Sequence, residues 1–443
     1  HGQELYRSLN LPATVFLGYE SAASSSSTVL ALVQDGQAQE KVEAGQDVQV
    51  VLDRTPFYAE SGGQVGDTGI IEGLRGKVEV RDTYQPSPGL AVHVGRVTNG
   101  FVTLGDQVQA QVDEARHLDI ARNHTATHLL HRALQVVLGE HARQAGSLVA
   151  PDRLRFDFTH LQPVSAEELR QIQRLVNEAI RANLPVQAEI TTLEEARQSG
   201  AMALFGEKYA DRVRVVSLGG DYSRELCGGT HLYHTGQIGF FTIVSESSIG
   251  SGLRRIEAVT GRGAEAYAEQ QADRLAEAAA AVQAQPSDLV QGVHELTGQL
   301  RELQREIDRL RSQSTGESVD RLLSQVVEVE GIRVLSARVD VDSVERMREM
   351  TDRLREGLGS SVVVLAAVVA DRPVLVAAVT TDLVDRGLHA GKLVGQLAKV
   401  IGGGGGGRAT MAQAGGHDST KLKAALEQVQ PCIHHMLSSA QPR

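Results

Sequence analysis

Two short spacings in this chain gather side chains that bind soft divalent metals. Residues 123–131, Asn-His-Thr-Ala-Thr-His-Leu-Leu-His, contain His124 and His128 four apart. On a helix such residues are neighbours, with Cβ atoms roughly 5–6 Å apart, so two imidazoles can share one ion. By itself this spacing also fits a solvated polar face. Further along, Leu226-Cys227-Gly228-Gly229-Thr230-His231 supplies a thiol and a histidine four apart. Together the pairs offer one thiolate and three imidazoles, a complete tetrahedral zinc set. The pattern is not that of a zinc peptidase, because His-Glu-x-x-His needs a glutamate where Thr125 stands.

The first pair sits in a helical pattern predicted from about Glu114 to Leu138, with Gly139 as its C-terminal cap. Ala126, Leu129, Leu130, Ala133 and Val137 form one apolar stripe, and His124, His128 and His131 fall on the other side of the wheel. Before this helix, short alternating runs (Thr14–Tyr19, Thr28–Val33, Asp47–Leu52, Lys77–Arg81, Ala91–Val97, Gln107–Val112) are separated by Gly, Ser, Pro and Asn. They predict a small barrel or sandwich, with the Ser21–Ser27 cluster at a hairpin tip. Within it, Gly62 and Gly63 suit either a β-turn or a close backbone approach to a ligand.

After the helix, a strand over Arg153–Phe158 leads to capping boxes at Ser165/Glu168 and Thr192/Glu195. Arg212–Ser217 and Gly239–Val244 read as strands flanking the Cys227–His231 loop, and Arg254–Glu257 opens another. From Ala264 the composition is helical, interrupted at Pro286 with Ser287 as the next N-cap. Leu289, Val293, Leu296, Leu300, Leu303, Ile307 and Leu310 form a heptad seam, either a dimer zipper or a linker helix packed on its neighbour. Beyond Ser314–Ser318 the pattern becomes α/β. Gly402–Gly407 follows a helix, not a strand, and lacks the residues of a P-loop; it reads as bare backbone near phosphate or a flexible connector. Lys392, Lys399 and Arg408, with Lys421 and Lys423, make this region the candidate RNA-facing patch.

At 443 residues the chain is long enough for two to four domains. The net charge of −11 excludes a generic nucleic-acid coat, so any RNA contact must be local. Two cysteines, Cys227 and Cys432, give no disulfide framework and fit a reducing cytoplasm. The longest apolar run, Val362 to Ala370, is too short for a membrane span. His1 is not a methionine and opens what reads as the tail of a helix, so the chain is expected to be part of something longer.

In order, RTPFYAESGGQVGDTG, NHTATHLLHRAL, ALFGEKY, ELCGGTH and IGSGLRRIEAVTG closely resemble the editing region of alanyl-tRNA synthetases. The helical stretch and the MAQAGG-containing end resemble that family's C-terminal domain. The resemblance implies an α+β multidomain chain. Residues 1–110 would be the β-barrel part of the editing region and 111–263 the α+β zinc editing domain. Residues 264–318 would be a coiled-coil-like helical linker, and 319–443 a C-terminal α/β domain for tRNA binding or dimerisation. The aminoacylation domain, which uses ATP and Mg²⁺, would lie upstream of His1. Where the family's glycine loop often carries a basic residue, this chain has unbroken glycine, which puts one phosphate contact in doubt.

The implied activity is hydrolysis of mischarged Ser-tRNA(Ala) and Gly-tRNA(Ala). A pocket for alanine cannot strongly reject glycine or serine, and a second, hydrolytic sieve remedies this. By motif position, His124, His128, Cys227 and His231 are the implied ligands of one zinc per chain. Gln64 is implied to position substrate or water, Thr55 to bond the serine hydroxyl, and Arg254 and Arg255 to hold the tRNA acceptor end. Four protein ligands make a closed site, so an ordering or substrate-holding zinc is expected in preference to zinc-hydroxide attack. Two rivals share these motifs: a free-standing AlaX-type deacylase of the long form, and a tRNA-binding module with structural zinc and no turnover.

Overall fold

The protein is described here from a computed structural model, which covers residues 2–19, 24–202 and 210–440. The ALFGEKY motif at residues 203–209 lies outside these residues, as do residues 20–23 of the region around the serine cluster. The chain divides into two compact units, His1–Ala278 and Ala279–Arg443. Among the described residues no helix is long and apolar enough to cross a membrane.

In the first unit six antiparallel strands close into a barrel. Its order is Ser24–Gln34, Asp47–Leu52, Leu90–Thr103, Gly76–Ser87, Gly69–Gly73 and Gln107–Val112, which pairs back to the first. Alternate residues such as Val29, Val50, Ile71, Val80 and Ala110 fill the interior, as period-two strands require. Residues 24–27 of the serine cluster are not a hairpin tip. They pair with Gln107–Val112 and close the barrel, with the buried hydroxyls of Ser25 and Ser27 3.0 Å apart and bonded to each other.

The helix Glu114–Leu138 is capped by Asp113, whose side chain accepts from the Arg116 N–H, and ends at Gly139 with φ 108°. Its apolar stripe packs with the helix Ala166–Arg181 onto a four-stranded sheet ordered Gln144–Val149, Leu154–Thr159, Leu253–Thr260, Phe241–Gly250. Both capping boxes form as their spacing predicts. A three-stranded sheet of Val186–Thr192, Arg212–Leu218 and Ser223–Leu226 covers the helix's other side. His124, His128 and His131 are therefore buried too, although they lie opposite the apolar stripe. His124 and His131 find side-chain partners there in Gln64 and Glu225.

In the second unit the helix Leu289–Leu323 runs through the Ser314–Ser318 stretch expected to break it. Ser287 is not its N-cap, since Pro286–Asp288 forms a single 3-10 turn ahead of it. The seam residues Leu300, Leu303 and Leu310 are more than half exposed. A six-stranded mixed sheet follows, ordered Val327–Val329, Ile332–Arg338, Ser361–Val369, Arg372–Val379, Met411–Gly415, Gly404–Gly407. Ile332–Arg338 and Ser361–Val369 are its parallel pair, joined by the crossover helix Val344–Leu358. Ser361–Val369 is covered on both faces, which explains its unbroken apolar run. The glycine run is neither loop nor connector: Gly404–Gly407 is an edge strand paired with Met411–Gly415. A Cβ on Gly405 would stand 2.3 Å from that of Ala414, so the close pairing needs glycine there.

Candidate metal centre

The donor atoms of His124, His128, Cys227 and His231 lie within 4.8 Å of one another, a cluster that could hold a metal ion. The Cys227 sulfur is 3.3 Å from Nε2 of both His124 and His231. The imidazoles of His124 and His128 stack at 5.6 Å, with that of His231 4.4 and 4.9 Å away from them. The two motifs meet because the strand Ser223–Leu226 delivers the Cys227 loop onto the face of the helix carrying the histidines.

Hydrogen bonds fix the tautomers of His124 and His231, while His128 stands beside a carboxylate. His124 Nδ1–H donates to Gln64 Oε1 at 2.6 Å. His128 Nδ1 is 3.0 Å from Glu225 Oε2. The Thr125 hydroxyl donates to the Ala121 carbonyl at 2.8 Å, so toward His231 Nδ1, 3.3 Å away, it can only accept. His124 and His231 thus carry their proton on Nδ1 and turn the Nε2 lone pair toward the thiol, the arrangement of metal-ligating histidines. His128 Nε2 is buried and has no hydrogen-bond partner, a cost of about 1–3 kcal/mol unless a cation meets it. The residues present fit a metal.

Electrostatics point the same way. Burial would raise the Cys227 thiol, but His124 and His231 outweigh it and hold it well below its ordinary value. Burial likewise opposes ionisation of Glu225, yet His128 and His131 hold it well below the usual carboxylate range. Burial lowers His231 to about 3, helped by His124. His128, despite its burial, is held up to about 10 by Glu225 and Cys227. Glu225 and the Cys227 thiolate are the anions that hold His128 cationic, and the same two charges would balance a dication.

Beside the cluster lies a cavity of about 250 Å³ lined by Tyr58, Ser61, Thr127, Gln144, Ser147 and Glu225, among others. Gly62 also lines it, while Gly63 turns the chain at φ 84° with no room for a Cβ against the Ser147 carbonyl. The glycine pair therefore serves both as a turn and as a cavity wall. Gln64 is fully buried: Oε1 accepts from His124 and from the Thr230 N–H at 3.0 Å, and Nε2 donates to the Thr230 hydroxyl at 2.9 Å. Thr55 is not in this cavity but lines a second one of about 220 Å³, which shares Tyr58, Ser61 and Gly228. His93 Nδ1–H donates to the Val50 carbonyl, so its Nε2 accepts the Thr55 hydroxyl proton at 2.7 Å. Thr55 Oγ1 also accepts the Phe57 N–H at 3.1 Å, leaving it one lone pair.

Arg254 and Arg255 are not gathered at the cluster. Each makes a bidentate pair on the four-stranded sheet, with Glu246 and Asp157 respectively. Lys392 and Lys399 are exposed on the helix Ala390–Val400, and Arg408 is exposed beyond the glycine strand. Lys421 is paired with Asp418 at 3.1 Å. Sequence reasoning missed Glu225, which stands two residues before Cys227 and so shares its side of the extended chain. It also missed Thr125 and Thr230 as supports, and for these no spacing gives a signal.

The barrel and the stretch that carries Cys227 and His231 fall in segments that match families of tRNA synthetase domains. Residues 213–257 match the family described as the threonyl and alanyl tRNA synthetase second additional domain. Residues 3–116 match the family of tRNA synthetases class II (A), and residues 331–435 match the DHHA1 domain. More particularly, the chain is related to the alanyl-tRNA synthetase family along nearly its whole length. It is 53% identical to the alanine–tRNA ligase of Chloroflexus aurantiacus over 96% of this chain and 48% of that protein. It is 49% identical to that of Pelotomaculum thermopropionicum over 96% and 48%. The chain spans about half the length of these curated relatives. Among solved structures, the C-Ala domain from Aquifex aeolicus alanyl-tRNA synthetase matches 24% of this chain and 96% of its own, at 27% identity and TM-score 0.23.

Proposed function

We propose that this chain binds one zinc ion through His124, His128, Cys227 and His231 and hydrolyses Ser-tRNA(Ala) and Gly-tRNA(Ala). The observation that carries this reading is the orphaned His128 Nε2, aimed among three further donors at the wall of a cavity of amino-acyl size. A zinc held there would order the ligand loop that forms the cavity wall against which the aminoacyl group is bound. The protein's own residues do the rest. Gln64 acts through His124, fixing its tautomer and tying it to Thr230. Ser61, Thr127 and Ser147 give the cavity a polar wall that a small ester can meet. Thr55 offers its remaining lone pair to the serine hydroxyl, which alanine lacks. The cavity can position a water against an ester that is already labile.

The surface around Lys392, Lys399 and Arg408 is the reading for tRNA(Ala) contact. Arg254 and Arg255, already paired, would share a phosphate with Glu246 and Asp157. The exposed heptad seam supports self-association as a dimer. The setting that suits an unoxidised Cys227 is the cytoplasm. Adding alanine to tRNA(Ala) with ATP and Mg²⁺ belongs to the portion of the relatives that this chain does not match.

The deciding assay is deacylation without ATP. The chain should hydrolyse Ser-tRNA(Ala) and largely spare Ala-tRNA(Ala), a discrimination on the order of 10⁴ if an unpaired polar group is what rejects alanine. Thr55→Val should narrow that ratio more than it slows the chemistry, and Gln64→Ala should slow both esters while weakening zinc. Zinc-loaded protein that leaves Ser-tRNA(Ala) intact would make this a binding module instead.

A further inference from the structure

Cys227 and His231 sit on a loop whose Gly228 and Gly229 have no side chains to hold their path. A Cβ on Gly229 would lie 1.9 Å from His124 Cε1, so the loop's Cα face is pressed directly onto a ligand ring. Its carbonyl face is gripped by two residues distant in sequence. Arg214, on the strand Arg212–Leu218, donates from one guanidinium nitrogen to the Cys227 carbonyl at 3.0 Å and the Gly229 carbonyl at 2.9 Å. The Arg214 carbonyl in turn accepts the Cys227 N–H at 3.0 Å. Between them, the Tyr19 hydroxyl donates to the Gly228 carbonyl at 2.5 Å. The Arg214 guanidinium lies over the Tyr19 ring at 4.1 Å, and Tyr19 is braced edge-on by Phe16 at 4.8 Å.

Three consecutive carbonyls are thus held by a cation and a phenol stacked on one another. A Gly-Gly segment loses more conformational freedom on ordering than any other pair. If that ordering is complete before the metal arrives, the metal need not supply it, and affinity rises accordingly. Arginine suits the task because one planar group can serve two acceptors while its face rests on an aromatic ring.

We propose that Arg214 and Tyr19 are positioning residues that preorganise the Cys227–His231 loop for metal binding. The proposal rests on the zinc reading above. It ties the ligand geometry to the N-terminal segment that carries Tyr19, a dependence no metal-ligand spacing reveals.

The test uses the whole chain with Zn²⁺ and Co²⁺ as probes. Wild-type protein should take up about one Co²⁺ and show thiolate-to-cobalt absorption. Arg214→Met should weaken zinc by about ten- to a hundredfold in chelator competition and shift the visible cobalt bands. Arg214→Lys should recover part of both. Tyr19→Phe keeps the stacked ring and removes only the bond to Gly228, so it should give a smaller loss with the metal-free melting temperature unchanged. Wild-type affinity and an unchanged cobalt spectrum in both Arg214→Met and Tyr19→Phe would overturn the proposal. Wild-type protein that takes up neither ion would instead overturn the zinc reading, and the clamp with it.

Discussion

His93 shows how a residue outside the cluster bears on the whole barrel. It is fully buried, and burial lowers it to about 4 from its ordinary 6.5, against the pull of the Val50 carbonyl. The folded barrel therefore keeps His93 neutral where the unfolded chain would protonate it. The stability this contributes is intact above about pH 6.5 and is lost as pH falls toward 4, by up to about 3 kcal/mol. Urea midpoints between pH 7 and 4.5 should fall more steeply for wild-type protein than for His93→Gln. Equal slopes would show that His93 is not the titrating group. The same residue explains why Thr55 is harder to read than the metal ligands. The four-residue spacing of His124 and His128 is a property of helices and survives in the sequence. That the Thr55 hydroxyl donates its hydrogen bond to His93 is a property of the barrel's closure and leaves no trace in the local sequence.

Elements were legible where their period stood alone. The helix Glu114–Leu138 and the strands Asp47–Leu52 and Gln107–Val112 run as their apolar patterns predict. The strand Val186–Thr192 escaped because its residues are mostly exposed and polar, and its pairing to Arg212–Leu218 rather than any apolar alternation defines it. The glycine strand escaped for a stronger reason, since glycine has no strand propensity and tertiary pairing overrides it. Its two faces differ: a Cβ on Gly404 meets nothing within 4 Å, whereas one on Gly405 collides with Ala414. Gly404→Ala should leave thermal stability of the chain unchanged or raised, and Gly405→Ala should cost about 1–3 kcal/mol. Identical melting of the two variants would contradict this register. The seam on Leu289–Leu323 carries its own test. Replacing Leu300 and Leu303, 63% and 61% exposed, by glutamate should convert a dimer to a monomer in sedimentation without unfolding the chain. A chain that sediments as a monomer before substitution would remove the dimer reading.

For the whole molecule, a net charge of −11 means that the proposed tRNA partner would be met by a small cationic surface against a repulsive background. Replacing Lys392, Lys399 and Arg408 together by glutamine should weaken tRNA binding. It should also flatten the dependence of log K on log salt by about 2–3, since each lost phosphate contact removes about 0.7–0.9. An unchanged slope would place the contact elsewhere. The unit that holds the metal cluster has a different whole-molecule property. Its supports arrive at Tyr19 and Gln64, its first ligands at His124 and His128, and its thiol only at Cys227. A ribosome adding about 5–20 residues per second takes roughly 10–40 s to pass from Tyr19 to His231. For the last half of that interval, the roughly 5–20 s between His128 and Cys227, the histidine pair is made but has no thiolate to complete it. Metal capture is therefore one of the last events in the birth of this unit. A nascent chain stalled before Cys227 would carry two finished histidines and keep no ion.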